Sequence, residues 1–376
     1  MSQMTEVKDD IKRNCLLCDT ILRPGNMSLE HIIPNALGGR LKSSNLICEK
    51  CNSECGDGCD AKLANDFNPF ANLLGIKRDR GQPPAITGMM SGRQVYMNTK
   101  GEVELVKPDF QKETVGDSVK FKIAESSRPR LEAMLRRLAA KYPINAEEAL
   151  KQAQTEHLGD YVTFDLQIGG RETFRAIVKM AYLFFKHKHP LNKIVGEDAL
   201  VSFIRGGRDY KSAYFFFPRS EIVKRNHGDI YHVLAVKSFP KEKLLVAFID
   251  LFSVMSFVIT LSEDFTEDLE GYYLFDLVKQ KELQSVDISF PLVTKKLLDD
   301  IFNKLVFPAD SFKKRLASFL SLAQTQKQFD AILEKAIHSV FDRSPVGTTI
   351  TAQMVNEFVN EIMIGLAPIR PMRPMV

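Results

Sequence analysis

Four of the six cysteines fall into two C-x2-C pairs, Cys15/Cys18 and Cys48/Cys51, with 29 residues between them. Each pair can sit on a tight knuckle turn that aims both thiolates at one ion. Four such thiolates in a tetrahedron are what Zn²⁺ prefers, so the spacing predicts a structural zinc held by Cys15, Cys18, Cys48 and Cys51. A disulfide scaffold would spread its cysteines through a small secreted domain. Here all six lie between positions 15 and 59 of a 376-residue chain. A redox pair usually sits in a βαβ pattern, which these positions lack. Cys55 and Cys59 follow Cys51 at steps of four, on one helical face, and read as small buried residues.

The loop between the knuckles carries the other chemically capable groups. In "LEHIIPNALGGR" an acid, Glu30, directly precedes His31. Asn45 comes fourteen residues after His31, and Asn52 directly follows the last knuckle cysteine. Taken singly, these are a surface charge, a polar core residue, a turn and a helix cap. Gly38-Gly39 allows either a close phosphate or a tight loop. Taken together, C-x2-C, then "EHIIPNALGG", then "NLICEKCN" closely resembles the HNH endonuclease family, whose core is a ββα-metal finger. The variant here is H-N-N, with Asn52 in the third place. The resemblance covers about residues 12 to 81.

Hydrolysis of a phosphodiester needs an activated water, a cation on the scissile phosphate and stabilisation of the leaving oxygen. A histidine near its ordinary pKa of about 6.5 is a suitable base. A hard divalent ion takes oxygen ligands such as a carboxylate and an amide, which makes Glu30 and Asn52 its expected holders. The resemblance implies the same: Glu30 and Asn52 on a catalytic Mg²⁺ or Mn²⁺, His31 activating water, and Asn45 orienting the His31 ring. The family more often has aspartate before the histidine, and Glu30 is one methylene longer.

These groups need a ββα frame. "SLEHIIP" reads as the first strand and "NLICEKC" as the second. A helix is expected from Glu49 to Asp66, weakened in its early turns by Gly56 and Gly58. The expected fold class is α+β: a zinc-braced ββα-metal module over 1–81, a mixed α+β region over 82–290 for DNA binding or regulation, and a helical region over 291–376. Short strands are expected between Gln94 and Ile123, a helix over Pro129–Pro143, and a strand in "YVTFDLQI" from Tyr161. An amphipathic helix over Arg171–Pro190 repeats Arg171, Arg175 and Lys179 at steps of four. Residues 171–237 hold thirteen Lys or Arg against six Asp or Glu, while the first eighty hold eleven of each. The expectation is therefore that Arg171, Arg175 and Lys179 contact DNA phosphates. "LLVAFIDLFSVMSFVITL", from Leu244, carries Asp250 and many β-branched residues. It reads as two buried strands, or a strand and a short helix, rather than a membrane span.

The composition is ordinary for a globular chain, with net charge +4. That mild excess permits an anionic partner without requiring one. The polar N-terminus shows no secretory signal, and with the cysteine usage this points to the cytoplasm. The leading expectation is a metal-dependent HNH endonuclease cutting DNA, as a nick or a double-strand break. Anti-phage defence, with partner proteins, or modification-sensing restriction are the settings this architecture resembles. The alternatives are a catalytically silent zinc protein that binds DNA or a partner, and a nuclease directed at RNA.

Overall fold

The computed structural model describes residues 13–366, apart from 117, 156–160, 211–212, 219–220, 227, 285 and 346. Most of the polar N-terminus, and residues 367–376 of the expected helical region, lie outside the described residues. Strand β1 (Glu30–His31) pairs antiparallel with β2 (Lys42–Ser43), which sets Glu30 opposite Ser43 and His31 opposite Lys42. Helix α1 (Glu49–Cys55) runs through a π-helical turn at Gly56–Asp60 into α2 (Ala61–Leu73). The two glycines that weaken this helix in sequence are thus where its winding loosens. The second strand falls earlier than "NLICEKC". Cys48 makes only an isolated bridge to Met27 and then flanks α1, because the knuckle turn claims it.

Beyond the module, β3 (Ile86–Met90), β4 (Arg93–Met97) and β5 (Val103–Leu105) form a small antiparallel sheet, and β6 (Asp109–Val115) pairs with β7 (Ser118–Ala124). Helices α3 (Arg128–Ala139) and α4 (Ala146–Gln152) follow. The strand expected from Tyr161 is, among the described residues, a single bridge between Met89 and Thr163. Gly88 explains the crossing: a Cβ there would lie 2.7 Å from Thr163 O, so glycine lets the segment touch at one point.

Helices α5 (Arg171–Lys188) and α6 (Glu197–Ile204) precede a six-stranded antiparallel sheet. It is built from β8 (Ala213–Phe215), β9 (Tyr231–Phe239), β10 (Leu244–Leu251), β11 (Met255–Ser262), β12 (Glu270–Asp276) and β13 (Lys281–Glu282), in the order β13-β12-β9-β10-β11-β8. Both faces are covered. Leu234, Val236, Ala247, Ile249 and Ile259 join a core with α5, while Val233, Ala235, Val246, Phe248 and Val258 join another with Val293 and Leu298. Alternate residues of each strand point to opposite faces, so a sheet buried on both sides reads as one continuous apolar run. This is why the stretch from Leu244 is two strands, and no described helix is long and apolar enough to cross a membrane. Helices α7 (Lys295–Lys304), α8 (Ala309–Val340) and α9 (Ala352–Leu366) complete the expected helical end.

The core containing α5 is continuous with that of the N-terminal module. Cys15, Ile32, Ile47, Leu63, Phe67 and Phe70 belong to the same cluster as Ile177, Phe184 and Phe252. Phe252 stacks on Phe67 and Phe70, at centroid distances of 6.0 and 5.8 Å. The module is therefore welded to the sheet through aromatic rings.

Candidate active site

The four knuckle sulfurs, Cys15, Cys18, Cys48 and Cys51, all lie within 4.8 Å of one another. The Cys18 and Cys48 sulfurs are 3.7 Å apart. A zinc–thiolate tetrahedron with bonds near 2.3 Å has edges of about 3.8 Å, so the donor set fits a structural zinc. Cys48 N donates to Cys15 Sγ at 3.3 Å, the backbone-to-sulfur bond a knuckle supplies. Cys55, at the end of α1, and Cys59, on the π-helical turn, are buried outside this group, as read from their spacing.

Gly38 and Gly39 close the loop that follows β1. Gly38 has φ +88°, and a Cβ on Gly39 would lie 1.9 Å from Ile33 O. Of the two readings of this pair, the tight loop is the one built. The loop is pinned from the sheet by His232, whose Nε2 lies 2.8 Å from Leu37 O while its Nδ1 accepts from Phe252 N at 3.2 Å. With one ring nitrogen donating and the other accepting, the imidazole is neutral. Burial pushes its pKa down to about 4. An unfolded histidine binds its proton near 6.5. Stability is therefore lost as pH falls from about 6.5 to about 4, by up to about 3 kcal/mol, with no further loss from this group below that. Denaturant unfolding of wild type and His232→Gln across this window should show the variant's stability falling less steeply.

His31 projects from β1 toward a group the sequence reading missed. Its Nε2 lies 3.3 Å from Asp79 Oδ2. Arg40 Nη1 donates to Asp79 Oδ1 at 2.8 Å, and Lys42 Nζ to Oδ2 at 2.9 Å. Asn35 Oδ1 accepts from Asp79 N at 2.9 Å. Burial and the Lys42 charge outweigh Asp79 and hold the His31 pKa below its usual value, so the ring is neutral at pH 7 and able to accept a proton. The β1–β2 register, which sets Lys42 opposite His31, is the signal that would have found the basic partner. Asp79 gave no signal, because "KRDR" reads as a linker.

Asn45 lies just past β2 and turns to it, not to the His31 ring: its Oδ1 accepts from Ser43 Oγ at 2.7 Å. The Asn52 amide donates to Ser28 Oγ. Glu30 is 3% exposed, and its Oε1 sits 2.8 Å from Lys179 Nζ, which also pairs with Asp60. The seat expected for a divalent ion at Glu30 and Asn52 is thus held by an ammonium, and in this arrangement the residues do not fit a second metal.

The expected phosphate-binding stripe on α5 is corrected as well. Lys179 is wholly buried; Arg175 pairs with Glu172 and donates to Ile204 O at 2.8 Å; Arg171 bonds Asp209 at 3.2 Å and Gly207 O. The four-residue period is real. It faces inward because the module, α6 and the sheet surround this helix. Arg171 alone keeps substantial exposure.

Residues 15–68 match the family model described as HNH endonuclease. The chain therefore carries an N-terminal HNH domain whose four-cysteine cluster is compatible with structural zinc. No curated protein and no solved structure matches the chain.

Proposed function

We propose that the HNH domain hydrolyses phosphodiester bonds in DNA, with His31 as the general base. The observation that carries this reading is an imidazole on a strand between the two cysteine knuckles, with Arg40 and Lys42 within reach of the same carboxylate it faces. His31 would take a proton from the attacking water. Arg40 and Lys42 would neutralise charge on the phosphate, a role guanidinium and ammonium groups fill well. HNH enzymes generally use a divalent ion, which supplies charge neutralisation on the scissile phosphate. Glu30 and Asn52 as placed offer such an ion no open ligand, so no step is routed through it and the dependence on Mg²⁺ or Mn²⁺ is left to the assay.

The test is nicking of supercoiled plasmid with Mg²⁺ or Mn²⁺. Wild type should convert it to open-circle or linear form, and His31→Ala should lose at least about a hundredfold in rate, the usual contribution of a positioned base. Equal cutting by both would refute the assignment. An RNA substrate run in parallel decides between the two nucleic acids. The Lys179–Glu30 pair favours a second reading, a silent HNH domain retained for binding; it predicts DNA retention without cleavage at any metal concentration.

A further inference from the structure

Asp79 is surrounded by donors that a single carboxylate does not satisfy. It receives Arg40 on one oxygen and Lys42 on the other, at 2.8 and 2.9 Å. His31 Nε2 is within ion-pair distance but makes no hydrogen bond. Asn35, which grips the Asp79 backbone through Oδ1, leaves its Nδ2 buried and unpaired. Arg78, the preceding residue, instead turns its guanidinium to Asn68 Oδ1. Buried polar groups are nearly always bonded. Two such atoms, His31 Nε2 and Asn35 Nδ2, lying beside the Arg40 and Lys42 cations, mark a place suited to a larger anion than a carboxylate.

Asp79 is also the one member able to leave. It lies outside any helix or strand, and its side chain is 41% exposed. Arg40, by contrast, is tied to Lys77 O at 2.8 Å, and Lys42 is on β2.

We propose that Arg40, Lys42 and His31 form an anion subsite for a backbone phosphate, and that the Asp79 carboxylate is its resident competitor. A phosphodiester presents two non-bridging oxygens that share one negative charge to the same two cations, and binding exchanges one anion for another. This rests on the nuclease reading for its ligand but not for its test. The cations stay ordered and paired while no substrate is present. The cost is affinity: any phosphate must first displace Asp79.

Asp79→Asn removes the competing charge and keeps the backbone N–H that bonds Asn35. Binding is measured on the zinc-loaded chain without added divalent ion, using inorganic phosphate and a short labelled duplex as probes. Asp79→Asn should tighten both by about tenfold, Asp79→Glu should restore the wild-type affinity, and Arg40→Gln or Lys42→Gln placed on Asp79→Asn should cancel the gain. Thermal melts report whether each variant folds. Unchanged or weaker binding by a folded Asp79→Asn overturns the subsite and leaves Asp79 as a loop clasp. If Asp79→Asn does not fold, Asp79→Ser carries the same expectation and the same refutation. Tighter binding with no cleavage by any variant would keep the subsite while sinking the nuclease reading. Cleavage with no change in phosphate affinity would do the reverse.

Discussion

Cys48→Ser will cost the domain the bound metal and the order of the strand that carries His31. One zinc per chain should be found in the wild type and much less in the variant. The reason is leverage. Cys15 and Cys18 lie on one knuckle, Cys48 and Cys51 on the other, and β1 and β2 hang between them with only two residues each. A two-residue ladder cannot hold itself together in water. In small metal domains the ion contributes folding free energy of about 10–16 kcal/mol, and the apo form is unfolded. Here Phe67 and Phe70 still stack on Phe252 from the sheet, so α2 should stay docked while the knuckles open. The expected signature is therefore local: the three remaining knuckle thiols, Cys15, Cys18 and Cys51, become reactive, cleavage is lost, and a separate low-temperature step appears in the melt. A single unchanged transition, with the thiols still protected, would show that the cysteines are merely packed.

How much of this was legible beforehand depended on whether a signal was local. The zinc frame was, because four cysteines at fixed spacing carry their geometry in the sequence. The helix through Glu49–Asp66 and its weak point at Gly56 and Gly58 were, because helix propensity is local. The hairpin from Leu244 was, because a two-sided sheet writes apolar runs. What failed needed tertiary knowledge. Arg171, Arg175 and Lys179 form a basic stripe in sequence, and only the packing of α5 between module and sheet turns that stripe inward. Glu30 looks like a free ligand until Lys179, 149 residues later, arrives beside it. Asp79 lies 48 residues from His31 in a stretch whose composition announces a linker. The short second strand was misplaced by a few residues because Ile47 and Cys48, apolar and strand-like, serve the knuckle instead.

Lys179→Met should be the most damaging single change on α5, at about 3–5 kcal/mol near pH 7, the range seen when one partner of a buried ion pair is removed. The wild-type arrangement balances two carboxylates against one ammonium. Burial alone would discharge Lys179, but Asp60 and Glu30 overcome it and push its pKa up. Burial also raises the Glu30 pKa, with Lys179 opposing. Methionine removes that opposition and leaves Glu30 facing Asp60 in a dry site, so the Glu30 pKa must rise further. A carboxyl with a raised folded pKa favours the fold while protonated, and this contribution is lost as pH climbs through that pKa. The destabilisation should therefore be greatest at neutral pH and should shrink as pH falls toward 5. Adding Glu30→Gln to Lys179→Met should recover much of the loss, because the buried charge goes with its partner. If the double variant is instead as unstable as the sum of the two single changes, the pair is uncoupled, and Lys179 is not what holds Glu30 away from a metal. If Lys179→Met with Glu30 intact gains affinity for Mn²⁺ while Glu30→Gln abolishes the gain, the ammonium stands where the family's second cation belongs.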